Sequence, residues 1–188
     1  MKVLIEGRPG SGKTTAAARL ADLLGERSVE VSGFVTDEIR ESGTRVGFTV
    51  RPFRGEPATL AHIDLPGPPR VGKYGVDLDA FERVALPTLR SISPDAVVVI
   101  DELGKMELAS PRFRASVLEL LDAPITVVAT VHTFRHPFTD ELKRRPGVEM
   151  IKLTRANRDA VPAQLVERLL REHHPDGTSC IKVSHRSL

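Results

Sequence analysis

The sequence predicts an α/β protein with a mostly parallel central sheet and helices on both faces. Continuous apolar runs occupy residues 3–5 and 96–100, as expected of strands buried on both faces, and residues 125–131 and 148–153 predict two further strands. Segments with helical spacing separate these runs, and a glycine-rich turn follows the first run directly. This alternation favours a parallel sheet, whose ligands lie at the carboxyl ends of the strands.

The glycine-rich turn spans residues 7–14, reads GRPGSGKT and satisfies the phosphate-binding pattern G-x-x-x-x-G-K-[ST] in full. Glycines let backbone N–H groups curl around phosphate oxygens, and the N-terminus of the following helix adds positive potential. Lys13 is expected to reach the β- and γ-phosphates, and the Thr14 hydroxyl is expected to bind Mg²⁺. The expected phosphate-binding residues are Gly7, Arg8, Pro9, Gly10, Ser11, Gly12, Lys13 and Thr14.

The first third of the chain departs from strict strand–helix alternation. A helix is predicted over residues 14–24, with Gly25 as its stop. Two β-rich stretches at 29–35 and 46–53 flank a turn and predict a hairpin. The many glycines and prolines of residues 54–75 predict a loop with at most short strands.

Three helices are predicted in the rest of the chain. Asp77 caps the first, which runs to about Leu86, and Pro87 ends it or opens a new turn. Ser110 and Pro111 begin the second, which extends to about residue 121. The last covers roughly 158–171. We therefore predict one domain at 1–172 and a C-terminal tail at 173–188, for which disorder is one interpretation.

A second candidate site follows the strand at 96–100, which ends in Asp101 and Glu102. P-loop enzymes hold Mg²⁺ with an acid at this position, and Asp101 fits that role. Glu102 is placed to orient and deprotonate an attacking water. Lys105 is either a phosphate or transition-state contact or a solvent-facing lysine. The next strand ends near Thr130 and His132, either of which could sense the γ-phosphate or simply complete a strand–loop junction.

Several charged residues elsewhere in the chain allow more than one interpretation. Residues 135–138 and 143–145 could form a basic lid over the triphosphate, although a solvated basic helix is the commoner structure. Arg155 and Arg158, near Asn157, could contact a base or a phosphate. Glu107 is expected to pair with Lys105 or to lie on the surface.

The composition excludes several classes of protein. With 40% hydrophobic and 28% charged residues, the 188-residue chain suits a globular domain, and its net charge of +2 is too small to indicate nucleic-acid binding. No apolar stretch approaches the ~20 residues that span a bilayer, and the N-terminus leads straight into a strand without a signal peptide. Cys180 is the single cysteine and has no recognisable metal-ligand partner. We expect a cytoplasmic monomer.

Four stretches together form a pattern more specific than the phosphate-binding turn alone. They cover residues 7–15, 33–40 with 45–48, 71–76 and 100–108. In these stretches the chain resembles the THEP1-type nucleoside-triphosphatases, a small P-loop family found in thermophiles and vertebrates. The resemblance extends over roughly residues 2–170, and only the leucine at 103, where isoleucine is commoner, differs conservatively.

The resemblance implies a RecA-like sheet with a β-hairpin inserted after the first helix. It implies slow, Mg²⁺-dependent hydrolysis of ATP, GTP, CTP and UTP to diphosphate and phosphate, with loose base preference. Residues 34–40 and Lys73-Tyr74 would lie near the nucleotide, and Tyr74 could stack on a base or be an aromatic of the core or its rim. Thr15 would join the phosphate-binding loop. The second nucleotide-contacting segment would comprise Val98, Val99, Ile100, Asp101, Glu102, Leu103, Gly104 and Lys105.

Two other functions remain open from the residues alone. A nucleotide, small-molecule or nucleic-acid kinase uses the same P-loop and Mg²⁺ but transfers the phosphoryl group to a bound acceptor instead of water. The loop at 54–75 could build an acceptor site. A nucleotide-dependent switch would instead act on a protein or RNA partner, with Arg144 and Arg145 as the first place to seek contact. Neither partner is indicated by the composition.

Overall fold

A single nine-stranded sheet organises the part of the chain that the computed structural model describes, residues 1–90 and 92–173. The strands are β1 Lys2–Gly7, β2 Val31–Glu41, β3 Thr44–Pro52, β4 Ala58–His62, β5 Arg70–Val71, β6 Tyr74–Val76, β7 Val97–Ile100, β8 Thr126–His132 and β9 Val148–Leu153. The helices are α1 Lys13–Glu26, α2 Leu78–Ala85, α3 Pro111–Asp122, α4 Pro137–Arg144 and α5 Val161–His173.

The strand order β5-β6-β4-β3-β2-β7-β8-β1-β9 divides the sheet into two halves. Neighbouring strands are parallel on the side of β2 that runs through β7, β8 and β1 to β9. They are antiparallel on the other side, which runs through β3, β4 and β6 to β5. Strand β8 lies between β1, which carries the P-loop, and β7, which carries the acids. This separation is the arrangement of RecA-like P-loop proteins, so the predicted fold class is confirmed.

Two apolar layers cover the sheet, one on each face. Because side chains alternate along β7, Val97 and Val99 pack toward α1 and α5, whereas Val98 and Ile100 pack toward α2 and α3. On that second side, Phe34 lies with the rings of Phe81 and Phe113 at centroid distances of 5.7 and 5.8 Å. Burial on both faces explains the uninterrupted apolar runs of the parallel strands.

The two predicted helix starts with polar caps are confirmed. The Asp77 carboxylate accepts a hydrogen bond from the Ala80 N–H at 2.8 Å, and the Ser110 hydroxyl accepts one from the Phe113 N–H at 3.0 Å. Each cap satisfies a backbone donor that the first turn of a helix leaves unpaired. Pro87 opens a short 3-10 turn at Leu86–Leu89, which continues from the end of α2.

Two helix boundaries differ from the sequence expectation, whereas the loop at 54–75 has the short strands that the sequence allowed. Gly25 does not stop α1, which runs on to Glu26 with Arg27 as its C-cap, because Gly25 keeps a helical conformation. Helix α5 begins at Val161 rather than near 158, after a run of turns. The loop at 54–75 contributes three short strands that extend the antiparallel half. Of the predicted tail at 173–188, everything beyond residue 173 lies outside the described residues.

The β2–β3 hairpin reaches well past the parallel half of the sheet. Strand β2 pairs with β7 only over Val31–Phe34, whereas its pairing with β3 continues to Glu41. Ser42 and Gly43 form the turn with φ values of 46° and 82°, as a two-residue hairpin of this hand requires. The outer hairpin therefore stands over the carboxyl edge of the parallel strands. No helix in the described ranges is long and apolar enough to cross a bilayer.

Gly33 is fixed by the close approach of β2 to β7. Its φ is +107°, and a Cβ built there would lie 1.9 Å from the Val99 carbonyl oxygen. We expect Gly33→Ala to lower the free energy of unfolding by about 3 kcal/mol or more, because backbone strain adds to a backbone clash. Urea denaturation measures this loss.

Gly25→Ala is the matched control. A Cβ at Gly25 meets no atom within 4 Å, and alanine favours a helix, so this variant should gain up to about 1 kcal/mol. Equal stability changes in the two variants would contradict the described packing of β2 on β7.

Candidate active site

The carboxyl ends of β1, β7 and β8 bring the P-loop, the paired acids and His132 to one edge of the sheet. There they border a cleft of about 620 Å³. From the phosphate-binding loop the lining residues are Pro9, Gly10, Gly12, Lys13 and Thr14. From the segment after β7 they are Asp101, Glu102, Leu103, Gly104, Lys105, Met106, Glu107 and Leu108. The sheet topology thus joins two motifs that lie nearly ninety residues apart in sequence.

Lys13 is buried at the base of this cleft although it carries a charge. Its Nζ donates to the Gly7 carbonyl oxygen at 3.2 Å and lies 3.5 Å from His132 Nδ1. The same Nζ lies 3.6 Å from Glu102 Oε2, with 5% of the lysine side chain exposed. A buried cation needs such partners, since water is not available to solvate it. Lys13 is therefore held where the P-loop turns back on itself.

Glu102 joins Lys13 to His132. Glu102 Oε1 lies 2.5 Å from His132 Nε2, and the glutamate side chain is only 17% exposed. The three side chains come from α1, from the segment after β7 and from the end of β8. The sequence singled out His132 only as one of two alternatives at its strand end, and the structure places it within the cluster. The Glu102 carboxylate therefore lies between two nitrogen atoms at ion-pair distances, and Oε1 has no hydrogen-bond partner within the described residues.

Asp101 lies deeper than Glu102 and is fully buried. Its Oδ1 accepts a hydrogen bond from the Thr130 hydroxyl at 2.6 Å, and its carbonyl oxygen accepts one from the Thr36 hydroxyl at 2.8 Å. Burial raises the pKa of Asp101 to about 6, against the opposing effect of hydrogen bonds from Thr130 and Thr14. Thr130 therefore orients the acid from within the sheet rather than facing the ligand space.

The donors beside the P-loop fit Mg²⁺. Asp101 Oδ2 is buried and has no protein hydrogen-bond partner, and the Thr14 hydroxyl interacts with the same carboxyl group. Among the described residues no group of three or more His, Cys, Asp or Glu side chains could hold a metal by itself. The Thr14 hydroxyl and the Asp101 carboxyl group suit Mg²⁺, because this ion takes few protein oxygens and completes its shell with water and phosphate.

Glu107 is a site residue that the sequence interpretation missed. It is neither paired with Lys105 nor on the surface, since it is only 5% exposed and lines the cleft. The pKa of Glu107 is raised to about 8, mainly by burial and also by the negative charges of Glu102 and Asp101. The apolar neighbours Met106 and Leu108 were the available signal, but they do not distinguish a buried carboxyl from a solvated one.

Some predicted contact residues serve the site from a distance. Val98, Val99 and Ile100 are fully buried in the core, so they cannot touch a nucleotide and instead position Asp101. Gly7 and Ser11 are buried beneath the P-loop, whereas Arg8 and Thr15 are exposed beside it, and none of these four lines the cleft. Leu103, Gly104 and Lys105 do line it, and Lys105 is exposed.

The β2–β3 hairpin forms the outer wall of the cleft. Thr36, Asp37 and Glu38 line it from β2, and Arg45 and Phe48 from β3. The other residues expected to contact the nucleotide here do not reach it, because Phe34 and Val35 are buried in the core and Lys73 lies outside the lining.

Tyr74 is not available to stack on a base. It is 8% exposed, packs against Phe48 at 5.2 Å and accepts a hydrogen bond from Arg45 Nε at 3.1 Å. Phe48 and Val71 present the apolar surface instead. Across the cleft, the exposed ring of Phe134 lies 5.7 Å from the His132 ring.

Two basic residues of the proposed lid, Lys143 and Arg145, are held in contacts with other elements. Lys143 Nζ donates to Glu6 Oε1 at 2.6 Å and to the His132 carbonyl oxygen at 2.8 Å, and Arg145 pairs with Asp122. Arg135 and His136 do line the cleft. These bonds tie α4 to the strand ends below it, so the interpretation as a mobile lid does not apply to Lys143.

The segment before α5 contacts the P-loop from the other side. The Asn157 side chain accepts from the Thr154 N–H at 2.7 Å and donates to the Lys152 carbonyl oxygen at 2.9 Å, so it holds its own loop. Arg158 approaches Gly12 closely enough that a Cβ there would lie 3.0 Å from its Cδ. Arg158 is therefore the arginine of this segment that lies beside the phosphate-binding loop.

Comparison with known proteins identifies similar chains over nearly the whole described length. The sequence profile of a family described as NTPase matches residues 2–166. A nucleoside-triphosphatase THEP1 of Thermofilum pendens is 44% identical over 171 residues, covering 88% of this chain and 93% of the relative. A nucleoside-triphosphatase THEP1 of Thermotoga petrophila is 41% identical over 167 residues, covering 88% and 91% respectively.

A solved structure gives the same result for the fold. The crystal structure of THEP1 from the hyperthermophile Aquifex aeolicus superimposes with a TM-score of 0.81 at 37% identity. The match covers 90% of this chain and 99% of the other.

The hydrogen bond from Thr130 to Asp101 can be tested by stability. We expect Thr130→Val to destabilise the protein by about 1–3 kcal/mol at pH 8, because a buried carboxylate loses its donor. Thr130→Ser keeps the hydroxyl and should lose much less. Near pH 4.5 the Asp101 carboxyl is protonated, so the loss in Thr130→Val should shrink. Urea denaturation at both pH values makes the comparison, and equal losses in the two variants would show that packing, not the hydroxyl, matters.

Proposed function

The chain belongs to the NTPase family, together with the THEP1 nucleoside-triphosphatases, and from this premise we propose that it hydrolyses nucleoside triphosphates to diphosphates and phosphate. One observation carries the proposal. The Glu102 carboxylate lies between Lys13 Nζ and His132 Nε2 beside the P-loop, where the γ-phosphate of a bound triphosphate would lie. A base, a phosphate-binding lysine and an acid suited to a metal thus share one cleft.

We propose that the P-loop and Lys13 bind the β- and γ-phosphates. Backbone N–H groups of residues 7–14 and the N-terminus of α1 supply donors and positive potential. Lys13 Nζ, which otherwise faces carbonyl oxygens and Glu102, gains stronger partners in the phosphate oxygens. Its departure from Glu102 leaves that carboxylate free to accept a proton.

Hydrolysis then needs one proton acceptor and one in-line displacement. Glu102 takes a proton from water as the water oxygen bonds to the γ-phosphorus, while the bond from phosphorus to the bridging oxygen of the diphosphate breaks. His132 Nε2 keeps the carboxylate oriented during this step. Lys105, exposed on the same segment, is the candidate cation for the developing charge on the phosphoryl group.

Mg²⁺ is part of the proposal. The Thr14 hydroxyl and Asp101 Oδ2 would hold it, the latter through a water molecule. When bound, the ion would supply positive charge that offsets the charge of the phosphates and of the transition state. Thr130 and Thr36 fix the Asp101 residue from below, so the acid keeps its direction toward the P-loop.

Loose base preference and slow turnover, which the family resemblance implies, are also part of the proposal. The contacts identified above go to phosphates, which all nucleoside triphosphates share. The apolar residues Phe48 and Val71 could pack on any base without selecting one, and the single tyrosine is buried. The cytoplasmic location and the monomeric state expected from the sequence stay predictions.

A kinase remains the second candidate, and one observation favours it. The β2–β3 hairpin also lines the cleft, and its polar side chains Asp37, Glu38 and Arg45 would be able to contact a phosphoryl acceptor. No contact in the described structure favours the third alternative, a switch that acts on a protein or RNA.

Lys13→Ala should abolish phosphate release from ATP, GTP, CTP and UTP, because the motif places no other lysine at the β- and γ-phosphates. Release from all four by the unmodified protein, unaffected by acceptors, supports the broad hydrolase. Release that appears only with a nucleoside monophosphate or a polynucleotide, with label transferred to it, indicates a kinase. Unchanged turnover in Lys13→Ala would exclude the P-loop as the active site.

Glu102→Gln should bind Mg·ATP normally but lower kcat by roughly 10²-fold or more, the scale of a lost general base. Asp101→Asn should instead weaken Mg²⁺ dependence first, visible as a higher Mg²⁺ concentration for half-maximal rate. If Asp101→Asn shows the pure kcat loss and Glu102→Gln does not, the two acids have the opposite roles.

A further inference from the structure

Glu107 is the one buried carboxyl group of the cleft that the proposed hydrolysis does not use. It lies on the segment that carries Glu102 and Lys105, and 5% of it is exposed. Such burial is costly for an ionised group without a cationic partner, and no ion pair to Glu107 exists within the described residues. Its presence beside Asp101 and Glu102 therefore needs a physical reason.

Glu107 lies against the turn that carries Lys105. The backbone N–H groups of Gly104 and of Glu107 itself lower the pKa of its carboxyl group in part, and Leu108 N donates to the Gly104 carbonyl oxygen at 2.9 Å. A Cβ at Gly104 would lie 2.7 Å from Glu107 Oε2, so glycine is what permits this approach. The Glu107 side chain thus packs against the backbone of the turn at 104–107.

The same carboxyl group also connects the turn to β2. Thr36 Oγ1 lies 3.5 Å from Glu107 Oε1, and this hydroxyl donates to the Asp101 carbonyl oxygen. Glu107 therefore lies against Gly104 directly and reaches the Asp101 end of the segment through Thr36. A shift of the turn would move Lys105 and Glu102 together.

We propose that Glu107 is a positioning residue that works in its protonated form. It fastens the turn at 104–107 across the cleft from the P-loop while adding no third negative charge beside Asp101 and Glu102. This inference rests on the proposed hydrolysis at the same cleft. Burial and the neighbouring carboxylates favour the neutral form, in agreement with the raised pKa of Glu107.

The charged and titratable groups that share the cleft with Glu107 are few enough to treat individually. They are Asp101, Glu102 and Lys105 on its own segment, Lys13 from α1, Asp37 and Glu38 from β2, Arg45 from β3, and His132, Arg135 and His136 from the end of β8 and the segment that follows it. Ionisation of Glu107 would add a third negative charge next to the Asp101 and Glu102 carboxylates.

Three variants test the proposal through kcat and KM for Mg·ATP between pH 6 and pH 9.5. Glu107→Gln mimics the neutral carboxyl, so it should keep kcat within about twofold at pH 7 and should lose any decline that the wild type shows near pH 8. Glu107→Ala frees the turn and should lower kcat on the order of 10- to 100-fold with little change in KM, the scale of a misplaced catalytic group. Glu82→Gln is the control.

Glu82 is a suitable control because it is a largely buried glutamate with a structural hydrogen bond from Ser110, at 2.6 Å, and does not line the cleft. Its variant should keep the wild-type pH profile. Loss of activity in Glu107→Gln equal to that in Glu107→Ala would overturn the proposal, since an ionised carboxylate would then be required. Wild-type kcat in Glu107→Ala would overturn it as well.

Thermal unfolding against pH gives a readout that needs no catalysis. The folded protein holds a proton on Glu107 that the unfolded chain releases above its ordinary pKa, so stability should fall as pH rises toward about 8. Glu107→Gln should remove that part of the decline, and an unchanged slope would contradict a neutral Glu107. Wild-type hydrolysis that Lys13→Ala abolishes tests the proposed function separately, so the two failures are distinguishable.

Discussion

The carboxyl edge of the sheet depends on one electrostatic constraint, the placement of three carboxyl groups within seven residues and largely out of water. Asp101, Glu102 and Glu107 could not all be buried as isolated anions. Each is stabilised differently. Asp101 accepts a hydrogen bond from the Thr130 hydroxyl, Glu102 lies within ion-pair distance of Lys13 and His132, and Glu107, by our inference, holds a proton. The strands, the P-loop and the hairpin wall all contribute partners to this arrangement.

The features that are local in sequence were predictable. The P-loop, the acids after β7 and the caps at Asp77 and Ser110 each depend on a few consecutive residues whose backbone needs are known. The parallel half of the sheet followed from its apolar runs. Gly25 was misinterpreted because glycine marks a helix end only when it adopts a left-handed conformation, which residue type alone does not determine.

The features that depend on tertiary packing were not predictable. Glutamate is usually exposed, and Glu107 is buried because its segment packs against Thr36 of β2. The sequence allowed Tyr74 to stack on a base, but in the structure it is buried among the antiparallel strands. Lys143 looked like part of a basic cluster, whereas its partners, Glu6 and a strand-end carbonyl, come from other elements.

The shape of the β2–β3 hairpin has a consequence for how such a cleft can diverge. Only residues 31–34 of β2 join the parallel half, while the outer strands and their turn contact mainly each other and the antiparallel strands beyond. Ion pairs such as Glu38 with Arg45 and Asp37 with Arg51 hold this outer part from its own surface. Evolution can therefore change the turn and the paired polar side chains of the wall while Phe48 and Val50 keep their packing on the hydrophobic core, so ligand preference can vary at these polar positions without a change of fold.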